Sequence, residues 1–192
     1  MIRVISGTAG GRRLKIPEGM GTRPTTDQTR EALFNILGYD VAGTKFLDLF
    51  SGSGAVGIEA LSRGAFTATF VEKDRRTAGI LRENLETCGF QSKSSLRTGD
   101  VMATLRDLDA QGQSFDYIFM DPPYAEANAK TINHEYSDVL QFLSDSCIAG
   151  NNCIIIVEHS YPIPQEVGRL RAYRSRRYGV SHLTFFSKEA DI

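Results

Sequence analysis

Short apolar runs recur along this chain, and most are followed by a turn and then by a segment with helical periodicity. Continuous apolar runs are typical of parallel strands that are covered on both faces, and apolar residues at i, i+3 and i+4 are typical of the covering helices. The pattern predicts strands over 45–50, 67–71, 95–98, 115–120 and 152–157. It predicts helices over 55–63, 75–88 and 136–146, and another that begins near 101. This alternation predicts an α/β fold with a mostly parallel sheet.

The first 43 residues have a different pattern. Two short β-prone pieces, 2–6 and 14–16, flank a glycine- and arginine-rich stretch and predict a hairpin with a basic, flexible tip. After a linker over 17–21, Thr25 and Gln28 have the spacing of a capping box, so a helix should begin there. Its predicted apolar stripe is Ala32, Leu33, Ile36 and Leu37. We therefore predict an N-terminal appendage over 1–43 and a main domain over 44–192.

The C-terminal part alternates strand-like segments, 170–178 and 180–186, around Gly179. They predict an antiparallel hairpin that completes the edge of the sheet. Residues 125–135 are polar and lack clear periodicity, so they are either a lid over a substrate or a plain connection.

The net charge of -1 hides an uneven distribution. Residues 1–30 carry six basic and two acidic side chains, residues 169–192 carry the same numbers, and the middle holds 10 basic and 19 acidic ones. Basic ends around an acidic body suggest a polyanionic partner, although charged edges that only keep the protein in solution remain an alternative. No apolar run is long enough to span a bilayer, so we expect a cytoplasmic protein without a membrane partner. The three cysteines and three histidines have no ligand-like spacing, and we expect no metal site.

The apolar run from Phe115 ends in Asp121, Pro122, Pro123 and Tyr124. Two prolines cannot continue a ladder, so the strand must stop there, at the edge of the sheet where ligands bind. The Asp121 carboxylate and the Pro122 carbonyl can each accept an N–H of an exocyclic nucleobase amine. Tyr124 offers a flat face, and stacking is worth roughly 1 to 3 kcal/mol per base. As a bare string, these four residues are equally compatible with a strand-ending turn.

The first predicted strand of the main domain runs into a glycine turn that contains Ser51, Gly52 and Gly54. Strand, glycine turn and helix form a nucleotide-binding corner, and the spacing also fits a dinucleotide fingerprint. Asp48 favours S-adenosylmethionine, because a carboxylate at this entrance repels a pyrophosphate and attracts the cationic amino-acid end of the cofactor. The alternative role of Asp48 is to cap the following helix.

Two further acids follow strand ends. Glu72, which precedes Lys73, is placed to accept both ribose hydroxyls. Asp100 is placed to accept an adenine amino group while Val101 packs on the ring. An N-cap for the helix that begins near Val101 is an equally good interpretation of Asp100, and both roles are compatible.

Over almost its whole length, the chain resembles class I S-adenosylmethionine-dependent methyltransferases, and more closely the RsmD family of small-subunit (16S) ribosomal RNA guanine-N2 methyltransferases. The family-specific part is N-terminal: Arg3-Val4-Ile5-Ser6-Gly7, Arg12-Arg13-Leu14, Arg23-Pro24-Thr25-Thr26-Asp27 and Arg30-Glu31-Ala32-Leu33-Phe34-Asn35. Shared with other amino-methyltransferases are Asp48-Leu49-Phe50-Ser51-Gly52-Ser53-Gly54, Val71-Glu72 and Asp121-Pro122-Pro123-Tyr124. The chain departs from the sequence pattern of the family at Gln28, Thr29 and Ser51.

The resemblance implies a Rossmann-like fold with a seven-stranded sheet and methylation of one guanine N2 amine. It implies a cofactor pocket lined by the loop residues and strand-end acids: Asp48, Ser51, Gly52, Gly54, Glu72, Lys73, Asp100 and Val101. The flipped guanine would lie against 121–124. The partner is small-subunit ribosomal RNA or the assembling subunit, with arginines at both ends of the chain as candidate contacts: Arg3, Arg12, Arg13, Arg23, Arg174 and Arg176. An oligomer is not implied.

Other classes remain open. DNA adenine-N6 and cytosine-N4 methyltransferases use the same corner, but reading duplex DNA needs a module for which this chain has little room. A protein-glutamine methyltransferase typically has Asn at the position of Asp121. A non-enzymatic RNA-binding assembly factor would not need Asp48, Gly52, Gly54 and Asp121 together.

Overall fold

An eight-stranded sheet forms the centre of the protein, which we describe from a computed structural model over residues 2–17, 25–122 and 134–188. Its strands are β3 (Lys45–Leu49), β4 (Thr67–Glu72), β5 (Ser94–Thr98), β6 (Phe115–Met120), β7 (Ala149–His159), β8 (Glu166–Val167), β9 (Leu170–Tyr178) and β10 (Ser181–Lys188). The spatial order is β5-β4-β3-β6-β7-β10-β9-β8. The five neighbouring strands β5, β4, β3, β6 and β7 are parallel to one another. Strand β10 is antiparallel to both β7 and β9.

This arrangement confirms the mostly parallel α/β sheet with an antiparallel C-terminal hairpin. The predicted count of seven strands is one too few, because the two-residue strand β8 pairs with β9 at the edge. A piece that short has no alternation from which the sequence could predict it.

Helices cover both faces of the sheet. They are α1 (Asp27–Leu37), α2 (Ala55–Ser62), α3 (Arg75–Cys88), α4 (Val101–Ala110) and α5 (His134–Asp145), with short 3-10 turns at Gly38–Val41 and Gln91–Lys93. None of them, within the described parts of the chain, is long and apolar enough to cross a membrane.

Alternate residues of the central strands belong to two separate cores. Phe46, Phe70 and Phe119 join the core under α1, α2 and α3, which we call the first face. Leu47, Val71 and Ile118 join the core under α4 and α5, which we call the second face. Because side chains alternate along a strand, even-numbered residues of β3 and odd-numbered residues of β6 point to the first face. Asp48 and Asp121 therefore share that face.

The N-terminal hairpin, β1 (Ile2–Arg3) with β2 (Arg13–Leu14), packs on α2. The buried Glu59 carboxylate accepts the backbone N–H groups of Ile5 and Ser6 at 2.7 and 3.0 Å. Ser62 accepts the N–H of Ala9 at 3.0 Å. Ile2, Val4 and Leu14 belong to the core of the first face, together with residues of α1. The hairpin and α1 thus share one core with the sheet.

The helix start predicted at Thr25 is one residue early. Thr26 is the N-cap of α1, and its side chain accepts the N–H of Thr29. The buried stripe is also shifted: it consists of Thr29, Arg30, Leu33, Phe34 and Leu37. Ala32 and Ile36 are only partly buried. The sequence is ambiguous because Thr25 and Thr26 are both good N-caps, and the choice of cap sets the face that is buried.

Candidate active site

The candidate site lies where the parallel strands end on the first face. Asp48 is near the end of β3, Glu72 ends β4, and Asp121 follows β6. Glu158 is the penultimate residue of β7. The register pairs Met120 with Val157, so Asp121 and Glu158 lie one position beyond paired residues of adjacent strands.

The turn after β3 has an unusual backbone. Among the described residues, Phe50 is the one residue other than glycine with a positive φ, at 59°. Gly52 and Gly54 follow with φ of 53° and 79°. A side chain at Gly54 would place its Cβ 2.0 Å from a methyl of Leu81. At Gly52 the space is open within 4 Å, so the loop backbone is accessible there. Strain of this kind is common at ligand-binding turns, and the sequence analysis did not single out Phe50.

Asp48 is buried, and its Oδ2 accepts the N–H of Gly57, in the first turn of α2, at 2.9 Å. The helix-capping alternative is therefore present in the structure. Burial raises the pKa of Asp48 from 3.8 to about 8, against the lowering effect of the Gly57 hydrogen bond. A buried acid of this kind gains most from a cationic ligand, because a positive charge nearby favours the ionised form.

Ser51 fixes the turn from within. Its hydroxyl donates to the carbonyl of Asp48 at 2.6 Å and accepts the N–H of Val71 at 2.9 Å. Both bonds are buried and tie β3 to β4. Ser51 therefore lies beside the predicted pocket with its hydroxyl bonded to the backbone.

Glu72 connects the same turn to β4. One of its oxygens accepts the N–H of Gly52 at 2.9 Å and the other accepts the N–H of Asp74 at 2.8 Å. Burial raises its pKa, while these backbone hydrogen bonds lower it. Each carboxylate oxygen keeps a further lone pair, so the group remains able to accept hydroxyl donors.

Asp100 is the N-cap of α4, and its Oδ1 accepts the N–H groups of Met102 and Ala103 at 3.0 and 3.2 Å. The N-cap interpretation is confirmed. Its other oxygen lies 3.6 Å from Nζ of Lys73, and both side chains are exposed. Val101, the first residue of the helix, is buried.

Asp121 differs from these acids. Its Oδ1 is buried and has no hydrogen-bond partner among the residues that the structure describes. Burial, followed by the charges of Glu158 and Asp48, raises its pKa well above the usual value. Pro122 is buried beside it, and Pro123 and Tyr124 lie outside the described residues, as does most of the segment 125–135.

Glu158 is buried, and its Oε2 accepts the hydroxyl of Thr25 at 2.8 Å across 133 positions of sequence. The Tyr136 hydroxyl donates to its backbone carbonyl at 3.0 Å. In the sequence, Glu158 follows the predicted strand 152–157 at its active end, where a core or capping role is as well supported as a catalytic one, so it was not among the predicted site residues. The available signal was its position after an apolar run, which matches that of Asp121.

The predicted RNA-contacting arginines lie in two exposed groups. Arg3, Arg12 and Arg13 belong to the N-terminal hairpin, where a guanidinium nitrogen of Arg12 also donates to the carbonyl of Thr87. Arg174 and Arg176 lie on β9, paired with Phe185 and Leu183. Arg23 lies outside the described residues. Within the described ranges, no cluster of three or more His, Cys, Asp or Glu side chains is placed to hold a metal ion.

The register places Arg174 and Arg176 of β9 on the first face. Leu183 pairs with Glu158 on one side and with Arg176 on the other, and directly paired residues point to the same face. Neighbouring strands lie about 4.8 Å apart. A long side chain on β9 can therefore span the distance to β10, the strand that pairs with β7 at Glu158. The N-terminal hairpin packs on that same face, so both basic groups lie on the face of the sheet that holds the acidic corner.

Comparison with known proteins agrees with this architecture. A family model described as "Conserved hypothetical protein 95" matches residues 2–187. The Bacillus subtilis protein named "Putative rRNA methyltransferase YlbH" is 34% identical over 189 residues, which cover 97% of this chain and 99% of that protein. The Escherichia coli "Ribosomal RNA small subunit methyltransferase D" is 35% identical over 161 residues, 82% of this chain and 74% of that protein. A solved structure, "Putative methyltransferase yhhF from Escherichia coli", superimposes with a TM-score of 0.81 at 30% identity and covers 99% of both chains.

Proposed function

The chain belongs to the RsmD family of methyltransferases, and on that basis we propose that it transfers a methyl group to the N2 amine of one guanine in small-subunit ribosomal RNA. The general class of its activity is S-adenosylmethionine-dependent methylation of ribosomal RNA. The observation that carries the finer proposal is the buried Oδ1 of Asp121, which has no donor among the described residues, since a buried acceptor without a donor is costly and a bound amine would satisfy it.

The cofactor pocket is built from acids that the backbone already orients. Asp48 lies where it would attract the cationic amino-acid end of the cofactor, and Gly52 leaves open space beside it. Glu72 would accept the ribose hydroxyls with its remaining lone pairs. Asp100 and Val101 would meet the adenine, with Lys73 at the rim. The bound cofactor supplies an electrophilic methyl group on a positively charged sulfur.

The chain itself positions the amine. The Asp121 carboxylate and the Pro122 carbonyl would each accept one N–H of the guanine amine, which turns the nitrogen lone pair toward the methyl group. Pro123 would keep the corner rigid, and Tyr124 would stack on the base. In that position the nitrogen lone pair would face the methyl carbon that the cofactor supplies, and the carbon–sulfur bonding pair would stay with the cofactor. Holding two reactants in line supplies most of the rate enhancement.

The RNA would lie across the first face. We propose that residues 1–43 form its main contact through Arg3, Arg12, Arg13 and Arg23, and that Arg174 and Arg176 of β9 hold the backbone on the other side of the corner. An unstacked guanine costs less to flip than one within a helix, which favours an accessible loop of ribosomal RNA.

The reaction is tested with S-adenosylmethionine that carries an isotopically labelled methyl group. Unmethylated small ribosomal subunits, bare ribosomal RNA and DNA are offered, and the products are analysed as nucleosides. We expect N2-methylguanosine from the small-subunit samples. Labelled N6-methyladenine from DNA, or no label in any nucleic acid, would contradict the proposal.

The RNA surface is tested by charge reversal. Because each lost phosphate contact lowers the slope of log affinity against log salt by about 1, Arg13→Glu and Arg174→Glu should both weaken RNA binding and flatten its salt dependence. Arg106→Glu is a matched control, because Arg106 is exposed on α4, over the second face. If all three variants behave alike, the two basic groups serve solubility instead.

A further inference from the structure

Three buried or nearly buried carboxyl groups meet at the candidate corner, and the mechanism above uses two of them. Asp48 and Asp121 have assigned roles, whereas Glu158 has none. Glu158 nevertheless lies on the strand next to Asp121, in a register that places the two side chains on one face of the sheet. Among the described residues, the ionisable groups whose charges act on Asp121 are Glu158 of β7 and Asp48 of β3.

Two hydrogen bonds hold Glu158 in place. The Thr25 hydroxyl, just before α1, donates to its Oε2 at 2.8 Å, and the Tyr136 hydroxyl of α5 donates to its backbone carbonyl at 3.0 Å. A donor on a carboxylate oxygen favours the ionised form. The Glu158 carboxyl group is thereby held beside Asp121, whose own Oδ1 has no such donor within the described part of the chain.

We propose that Glu158 is a positioning residue of the corner: its fixed negative charge strengthens the hold of Asp121 on a proton, and Thr25 keeps that charge in place. The proposal rests on the proposed function for its catalytic meaning. Methylation leaves a positively charged nitrogen, which must release one N–H proton. Asp121, as the carboxylate that accepted the N–H, takes that proton and later passes it to water.

The charge of Glu158 makes Asp121 a better proton acceptor than an ordinary aspartate. Proton acceptors work best when their proton affinity matches the working pH. An isolated, exposed aspartate binds a proton too weakly at neutral pH, whereas one that is buried beside a fixed carboxylate binds it more strongly. The arrangement tunes one residue by means of a neighbour that need not touch the substrate.

The direct test is a pH titration of Asp121 by NMR in protein labelled with 13C at the aspartate carboxyl carbons. The Asp121 signal is identified by its loss in Asp121→Asn. In Glu158→Gln, whose amide oxygen can still accept from Thr25, the midpoint of Asp121 should fall by about one pH unit or more. In Glu166→Gln, an exposed carboxyl on β8, it should not move. An unchanged midpoint in folded Glu158→Gln would overturn the proposal.

A second variant keeps the test valid if Glu158→Gln does not fold. Thr25→Val keeps the shape of the side chain and removes the donor, so part of the proton should move to Glu158. The Asp121 titration should then gain a second step at lower pH. A single step at the wild-type midpoint would show that Thr25 does not fix the charge.

Kinetics connect the pair to the reaction. In Glu158→Gln we expect kcat to fall by about tenfold with little change in KM for RNA, and the acid limb of the pH–rate profile to move to lower pH. A merely structural role would leave that limb in place. The NMR titration needs neither RNA nor cofactor. If its midpoint falls in Glu158→Gln but no N2-methylguanosine is ever formed, the proposed function fails while the charge pairing stands.

Discussion

The two halves of the candidate site satisfy their carboxylates in different ways. On the proposed cofactor side, Asp48, Glu72 and Asp100 each accept at least one backbone N–H. On the proposed methyl-acceptor side, Oδ1 of Asp121 is buried without a donor among the described residues, and Glu158 and Asp48 raise the pKa of that carboxyl group.

The difference shows which part of the site the fold completes by itself. Backbone donors orient the cofactor-side acids whether or not a ligand is bound. Asp121 is placed by the strand and held by packing, but within the described residues its Oδ1 is left for a ligand to satisfy. The cost of a buried, unpaired acceptor is about 1–3 kcal/mol, which an incoming amine recovers on binding. Three substitutions test this contrast.

The largest effect is expected from Asp121→Asn. An amide can donate where the amine also donates, so the amine would be misplaced. Turnover should fall by roughly 100-fold or more, while S-adenosylmethionine still binds by calorimetry. Asp138→Asn, an exposed acid on α5, is the control and should retain full turnover. Unchanged turnover in Asp121→Asn would remove Asp121 from the mechanism.

A smaller effect, a loss of unfolding free energy, is expected from Gly57→Ala. Gly57 donates the hydrogen bond that holds Asp48. A Cβ there would lie 2.3 Å from the ring of Phe70 and 3.1 Å from Oδ2 of Asp48. Overpacking of this kind costs about 1–3 kcal/mol of unfolding free energy, which urea denaturation measures. Gly79→Ala in α3 meets nothing within 4 Å and should stabilise by about 0.5–1 kcal/mol. Equal effects of the two changes would show that the turn tolerates a side chain.

The third effect is a pH dependence at Asp48, which is small within any one pH unit. Because its pKa rises from 3.8 to about 8 on folding, the folded protein binds more protons than the unfolded chain between those values. Asp48 should therefore lower stability as the pH rises through this window, by at most about 1.4 kcal/mol per pH unit. In Asp48→Asn this contribution is absent. The unfolding free energy of the variant, minus that of the wild type, should therefore increase with rising pH. Parallel pH curves would mean that burial does not perturb Asp48 in the folded protein.

The sequence predicted the parts of the fold that depend on local pattern. The strand ends at Glu72 and Asp121 were predictable because apolar runs stop at these acids, and the N-cap at Asp100 was one of its two expected roles. The bond between Thr25 and Glu158 was not readable. It joins residues 133 positions apart and depends on how β7 and α1 approach each other. Ser51 shows the same limit, because only the structure shows that its hydroxyl faces the backbone of β4.

The position of β10 has a consequence for the order of folding. This strand is synthesised after β7 and β9, yet it lies between them. Until Ser181–Lys188 has left the ribosome, the edge of β7 beside Glu158 has no neighbour to pair with, and β9 cannot join the sheet. Exposed strand edges pair readily with other chains. The nascent protein therefore carries an unpaired strand edge next to its acidic corner until β10 inserts.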